Sequence, residues 1–329
     1  MNVSHAVTHS SFGPPGEVLS LTERSLTALG PDEVLVAMRA ATINPSDFGM
    51  ILGNYGRLPD LPAVAGREGV GEVLEVGMGV AEFRAGDHVY IPEGAGAWQT
   101  HFVAKASELT GVPSDIPIEY AAMARVNPPT AWRLLRDSYL QPGQWVVQNG
   151  ANSSVGLFVI QMAKHLGLKT LNIVRRAELI KPLEQLGADV VVTEDSGYEK
   201  KVADLTTNGE VLLALNSIGG ESAIRLVRCL SKGGRHVTFG AMAFEPVRFP
   251  TRDLIFNDIT LTGFWMDKWY RESSKERTLV MFDNLYNLVR EGVLTAPVAE
   301  RYPLERFQEA LEASRSPRLG KILFVSDKN

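Results

Sequence analysis

Gln144-Trp145-Val146-Val147-Gln148-Asn149-Gly150-Ala151-Asn152-Ser153-Ser154-Val155-Gly156 is the stretch whose reading decides the fold. Trp145, Val146 and Val147 open it as an apolar run rich in β-branching, which predicts a buried strand. A turn of small residues follows, from Asn149 to Ser154. Val155, Val159, Met162, Ala163 and Leu166 then recur at helical spacing, and Gly167 stands where a helix C-terminus favours glycine. Strand, small-residue turn and helix in this order predict the phosphate-gripping half of a dinucleotide fold. Backbone N–H groups and a helix N-terminus there meet a pyrophosphate. Gly150 and Gly156 occupy two of the usual glycine positions and Ser153 the middle one. So degenerate a turn also suits an ordinary βα unit, and its surroundings must separate the two.

Downstream, Thr170–Val174, Val190–Val192, Val211–Leu215, His236–Phe239 and Ile259–Leu261 read as further strands, with helical stretches between most of them. A helix around Leu179–Leu186 ends at Gly187. Repeated βα units imply a parallel sheet covered on both faces, and six strands complete a doubly wound dinucleotide domain. That context selects the dinucleotide reading. Upstream the rhythm differs. Val34–Met38 and Val70–Val76 are short β patterns, and Gly13-Pro14-Pro15-Gly16, Gly77-Met78-Gly79 and Gly86-Asp87 are turn signals. They predict a small barrel. Beyond a helix over Lys275–Gly292 and a break at Pro297 come a short helix near Leu304–Ser314 and a last strand, Lys321–Val325, expected to rejoin the barrel. The expected domains are residues 1–126, then an inserted 127–292, then a return over 293–329.

Composition narrows the class. The 329 residues carry a scattered net charge of −5, which invites neither nucleic acid nor an acidic membrane surface. No apolar run is long enough to span a bilayer, and the first residues show no secretory pattern or Arg-rich leader. One cysteine, Cys229, excludes internal disulfides and reads as a small buried hydrophobe. A cytoplasmic protein is expected, or one of the mitochondrial matrix for a chain already freed of a leader. His5, His9, His88 and His101 lack ligand spacing, so no metal site is expected.

The second strand of the run ends in Arg175-Arg176. This lies roughly 20 residues past the glycine turn, where such folds read the adenosine ribose. An acidic residue there would take the ribose 2′-OH. Two arginines offer charge and forked donors to a 2′-phosphate, so NADPH is expected rather than NADH. A solvated basic turn is the bland alternative. Glu178 nearby suits the first turn of the next helix.

Barrel, inserted dinucleotide domain and returning strand together resemble the zinc-independent medium-chain dehydrogenase/reductase superfamily. Several stretches resemble its mitochondrial-type trans-2-enoyl-thioester reductases. They are Ile43-Asn44-Pro45-Ser46-Asp47, Gly53-Asn54-Tyr55-Gly56, Leu61-Pro62-Ala63-Val64, Val126-Asn127-Pro128, Gly263-Phe264-Trp265, Leu294-Thr295-Ala296-Pro297 and Glu309–Ala313. The implied architecture is α/β: a GroES-like β-barrel catalytic domain carrying an inserted Rossmann domain. In zinc members a histidine ligand stands where this chain has Arg67, in Gly66-Arg67-Glu68-Gly69.

The implied activity is reduction of an enoyl thioester, of coenzyme A or acyl carrier protein, with hydride to Cβ and a proton to Cα, in fatty acid metabolism. Tyr55 matches the family's catalytic tyrosine, and a phenol that keeps its proton at neutral pH can donate it. Trp265 matches the cleft-lining tryptophan; simple packing is the alternative. By the same match Asn127 reaches the ribose or nicotinamide end. Asn152, Ser153, Ser154, Val155 and Gly156 form the pyrophosphate turn. Phe239, Gly240, Ala241 and Met242 line the nicotinamide pocket. Phe264 and Lys321 touch cofactor, although Lys321 also reads as a surface lysine. Ala177 stands where the family often has a third basic residue, and Arg125 where it has small apolar ones. A homodimer paired through the sixth strand, Asp258–Leu261, is expected. A zinc-free quinone or alkenal reductase and a non-catalytic nucleotide-binding protein are the rival readings, and the fold alone does not separate them.

Overall fold

The computed structural model describes residues 3–326, which divide into two compact units. One comprises residues up to Arg125 together with those from Ala296 onward; the other is Val126–Thr295. The expected boundaries fall at 126/127 and 292/293, one and three residues from these.

The first unit is built of short strands. β1 (Val3–His9) lies between β2 (Ser20–Ser25) and β4 (Ala63–Val64), antiparallel to both. A second sheet centres on β3 (Glu33–Thr42), which pairs with β5 (Gly69–Val76) and β7 (His101–Lys105). β6 (His88–Tyr90) and β8 (Thr110–Val112) extend it beyond β5. The alternation of β3 explains its place: Val34, Val36, Met38 and Ala40 are buried while the residues between them are half-buried. Trp98 fills the middle of this core and donates its indole N–H to the Thr42 carbonyl at 2.9 Å.

In the second unit six strands are all parallel. They are β9 (Trp145–Gln148), β10 (Lys169–Val174), β11 (Val190–Thr193), β12 (Val211–Asn216), β13 (Arg235–Thr238) and β14 (Thr260–Gly263). Their spatial order, β11-β10-β9-β12-β13-β14, is that of a doubly wound dinucleotide sheet. It reverses between β9 and β12, the point at which such sheets bind ligands beyond the strand ends. β9 is buried throughout, as a central parallel strand must be. The sixth strand starts two residues later than Asp258, because Asp258 itself takes a left-handed turn at φ 51° after the helix Thr251–Phe256.

The chain then returns to the first unit. β15 (Val298–Tyr302) runs parallel to β16 (Lys321–Val325), and β16 pairs antiparallel with β3. The returning strand therefore joins the barrel sheet, with Phe324 edge-on to Trp98 at 5.3 Å between ring centroids. Among the described residues no helix is long and apolar enough to cross a membrane.

Candidate active site

In the second unit the turn after β9 is tied down by Asn149. Its side chain donates to Asn216 Oδ1 at 2.8 Å and accepts from the Ser217 N–H at 2.8 Å, joining the ends of β9 and β12 at the switch point. Gly150 takes φ 55°, and a Cβ there would lie 2.6 Å from Ser217 Oγ. The helix Ser154–His165 begins at once, with Ser153 as its N-cap accepting from the Gly156 N–H at 3.2 Å. A Cβ on Gly156 would press to 2.5 Å of the Ala151 carbonyl, so glycine is required where helix and turn touch. Asn152, Ser153, Ser154 and Val155 are half-buried around this helix N-terminus, and Gly156 is buried. The arrangement fits a pyrophosphate: small side chains at the N-terminus of a 12-residue helix.

Arg175 and Arg176 follow the last residue of β10. Arg175 is exposed; Arg176 is half-buried and pairs with Glu178 at 2.8 Å. Glu178 thus serves the 3₁₀ turn Ala177–Leu179 and Arg176 together.

Phe239–Met242 leave β13 along the end of β12, with the Phe239 N–H donating to the Asn216 carbonyl at 3.0 Å and that of Met242 to Ser217 at 3.1 Å. A Cβ on Gly240 would stand 2.8 Å from the Ser217 carbonyl, so only glycine passes there. Phe239 and Gly240 are half-buried, Ala241 and Met242 exposed. Phe264 hangs from the end of β14, its N–H donating to the Thr238 carbonyl at 2.9 Å. Trp265 precedes the helix Met266–Glu272 and carries the Arg271 guanidinium 4.7 Å from its ring centroid. Asn127 is buried at the start of the helix Asn127–Arg136.

In the first unit Tyr55 sits in the loop after the helix Pro45–Ile51, its ring packed against Gly49. Gly53, at φ 77° and hard against Phe12, lets the loop turn. Tyr55 is half-buried, and its hydroxyl oxygen accepts a hydrogen bond from Arg67 Nη1 at 2.8 Å. Gly66 passes directly beneath the Trp98 ring, where a Cβ would clash at 2.2 Å, and so delivers Arg67 to that place.

Beside Arg67 lies a buried polar cluster of Thr42, Asn44, Asp47, Glu68 and Lys321. Asn44 Nδ2 donates to Glu68 Oε1 at 2.7 Å and to Thr42 Oγ1 at 2.9 Å. The Asn44 N–H donates to Asp47 Oδ2 at 2.6 Å, half of a capping box for the helix Pro45–Ile51. Lys321 Nζ donates to Asn44 Oδ1. Asp47 Oδ1 has no hydrogen-bond partner among the described residues.

Burial pushes the Asp47 carboxyl up to about 7, against the opposing Asn44 N–H and Arg67 charge, and raises Glu68 as well. Burial likewise draws the Lys321 ammonium down to about 8, opposed by Glu68 and Asp47. The surface reading of Lys321 is thereby corrected: it is 4% exposed, because β16 turns it inward toward these carboxyls. Sequence reasoning singled out neither Asp47 nor Glu68 for a role. The signal lay in Asn44-Pro45-Ser46-Asp47, an N-cap, a proline at the first helical position and an acid at the third.

Arg125, flagged as a departure, donates to the Ile91 carbonyl at 3.2 Å. Among the described residues no three His, Cys, Asp or Glu side chains cluster as a metal site.

These two units define a medium-chain dehydrogenase/reductase. The alcohol dehydrogenase GroES-like domain matches residues 30–114, and the zinc-binding dehydrogenase family matches residues 154–282. The mitochondrial enoyl-[acyl-carrier-protein] reductase of Mus musculus is 45% identical, over 98% of this chain and 87% of its own length. A mutant of Etr1p in complex with NADP and crotonyl-CoA superposes with a TM-score of 0.90 at 29% identity, covering 98% of this chain and 99% of that one. The mitochondrial 2-enoyl thioester reductase Etr1p/Etr2p heterodimer from Candida tropicalis gives 0.89 at 30% identity, covering 99% and 100%. A putative NADPH:quinone reductase from Bacillus thuringiensis gives 0.89 at 27% identity, covering 99% and 100%. The chain belongs to the enoyl-thioester reductase family of the medium-chain dehydrogenases/reductases.

Proposed function

We propose that this chain reduces trans-2-enoyl thioesters with NADPH, with Tyr55 giving the proton to Cα. The observation that carries the donor assignment is the Tyr55 phenol, half-buried and held through its oxygen by Arg67 at 2.8 Å. The reaction class follows from the family.

NADPH, when bound, supplies the hydride that adds to Cβ. Asn152–Gly156 hold the pyrophosphate at the helix N-terminus, and Arg175 and Arg176 take the 2′-phosphate. Phe239–Met242, Phe264 and Asn127 enclose the nicotinamide end. Lys321 acts from inside the polar cluster, through Asn44, rather than from the surface. Trp265 orients the thioester through its ring and N–H. Tyr55 donates a hydrogen bond to the developing enolate and then its proton. Arg67 stands where zinc members place a ligand histidine, so charge on the enolate is met by protein donors.

The substrate is an acyl thioester, its carrier either coenzyme A or acyl carrier protein. The mitochondrial relatives support the matrix as its compartment. A homodimer is supported by the edge position of β14 and by the two-subunit Candida tropicalis assembly.

The rival quinone reading has the Bacillus thuringiensis fold in its favour, but the enolate must be protonated at carbon, which a positioned donor such as Tyr55 serves, whereas a reduced quinone takes its proton at oxygen, where water exchanges it readily. NADPH consumption measured with crotonyl-CoA beside a small quinone, with NADH as the cofactor control, decides between them. Turnover of the thioester in preference to the quinone is expected; turnover of the quinone alone overturns the reading.

A further inference from the structure

Arg67 touches the proposed proton donor twice. Its Nη1 donates to the Tyr55 hydroxyl oxygen at 2.8 Å, and its guanidinium carbon lies 4.8 Å from the Tyr55 ring centroid. A guanidinium keeps its charge throughout the working pH range and has only donors to offer. Because Arg67 takes a lone pair of the Tyr55 oxygen, the hydroxyl's own proton is directed away from the guanidinium. The positive charge beside that oxygen favours the phenolate over the phenol.

Asp47 of the capping box and Glu68, next in the chain to Arg67, both feel the guanidinium charge. Lys321 acts on the same two carboxyls. Arg57 on the Tyr55 loop pairs with Glu93 at 3.4 Å, both exposed, so that pair is screened by water.

We infer that Arg67 is the positioning residue that makes Tyr55 a proton donor, by orienting its hydroxyl and holding the negative charge left when the proton departs. The inference rests on the thioester-reductase reading. After hydride addition at Cβ, the former π pair resides on the thioester enolate. The Tyr55 O–H bond breaks, a C–H bond forms at Cα, and the O–H electron pair stays on oxygen as a phenolate against Arg67. Water then returns a proton to the phenolate. The double bond is reduced, NADPH is oxidised to NADP⁺, and one solvent proton is consumed.

The test uses the full chain with Arg67→Met, Arg67→Gln and Tyr55→Phe. The first readout needs no substrate: the alkaline ultraviolet titration of the Tyr55 phenol, taken as wild type minus Tyr55→Phe, and the same for each Arg67 variant in a Tyr55→Phe background. The second is the pH profile of kcat/KM with crotonyl-CoA. Loss of Arg67 is expected to move both the phenol titration and the basic limb upward by about 1–2 pH units, with kcat down roughly ten- to a hundredfold. KM for NADPH stays in place.

Arg67→Gln keeps an N–H donor without charge, so it must move the same limb, and it serves alone if Arg67→Met fails to fold. A titration and limb unmoved in the folded variants overturn the inference. Where Tyr55→Phe is inactive and the Arg67 variants are unmoved, the inference fails and the reading of Tyr55 stands. Full turnover by Tyr55→Phe overturns both.

Discussion

Lys321 and Asn44 lie 277 residues apart in the chain, yet the lysine ammonium donates to the Asn44 side-chain oxygen in a buried site. The bond ties the returning strand β16 to the capping box of the helix that carries the chain into the Tyr55 loop. Asn44 spends its Nδ2 on Glu68 and Thr42 and its backbone N–H on Asp47, so one residue gathers both carboxyls and the lysine. A buried cation near two buried carboxyls is stable only while their charges and hydrogen bonds match.

That cluster makes stability depend on pH in a defined direction. Asp47 titrates at 3.8 when unfolded and at about 7 when folded. The folded chain therefore holds more protons than the unfolded one across that interval. The stabilisation is complete below the lower value and is lost as pH rises through the upper one. Glu68 acts in the same sense. Lys321 acts oppositely: its folded value of about 8 lies below 10.5, so its contribution is present above the latter and lost as pH falls through the former. Asp47→Asn keeps an acceptor for the Asn44 N–H and removes the titration. The difference in Tm between about pH 5 and about pH 8 should shrink in this variant relative to wild type. An unchanged difference in thermal scans would place the titration elsewhere.

Cofactor choice tests the end of β10. Arg175 is exposed, while Arg176 is drawn back by Glu178. Replacing both arginines with alanine removes two charge-assisted contacts, each about 1.5–3 kcal/mol, and should weaken NADPH on the order of a hundredfold or more while sparing NADH. Glu178→Ala removes the ion pair with Arg176 and should not weaken NADPH. Equal weakening of both cofactors by the double variant, seen in fluorescence titration, would show that the pair does not read a phosphate.

Much of this was legible because the second unit obeys simple periodicities. β9 is buried on both faces and opens as the apolar run Trp145–Val147, and the helical spacing of Val155, Val159, Met162 and Ala163 announces the helix that follows. The arginine pair was legible from its distance to the glycine turn. The cluster beside Arg67 was not, because no local period marks a lysine that becomes buried only when β16 pairs with β3. Arg67 read as an absent zinc ligand. Its bond to Tyr55 spans 12 residues and depends on Gly66 slipping beneath Trp98, which no spacing rule encodes. Of the barrel strands only Val34–Met38, Val70–Val76 and Lys321–Val325 were legible, and not the others or their division between two sheets, since that depends on which edges β1 and β3 choose.

Assembly is tested at the sheet edge. β14 ends the parallel sheet, and the helix before it exposes Ile255 at 66% and Phe256 at 68%. An open edge strand beside exposed apolar side chains suits pairing with a second copy about a two-fold axis. Light scattering should give twice the chain mass of 36.0 kDa at micromolar concentration. Ile255→Glu with Phe256→Glu should return the single-chain mass. A wild-type chain already monomeric would reject the pairing.

Tyr55→Phe tests the chemistry itself. The substitution removes the O–H and leaves the ring against Gly49, so the loop should keep its place. The thioester should still bind, because its acyl and carrier portions do not use the hydroxyl. NADPH affinity should also stand, because Arg175, Arg176 and the Asn152–Gly156 turn are untouched. An interaction made mainly in the transition state shows its loss in kcat and kcat/KM together. The expected drop is roughly 10²–10³, the scale of one lost oxyanion donor or general acid. Two effects compete in this variant. Arg67 loses the oxygen it donates to, which costs some stability, while the phenyl ring keeps the cation above its face. Tm should therefore fall only slightly, and the kinetic loss cannot be ascribed to unfolding. Steady-state kinetics with crotonyl-CoA check the outcome. Near-full turnover would assign the Cα proton to water or another group, and a rise in KM alone would make Tyr55 a substrate-positioning residue rather than the donor.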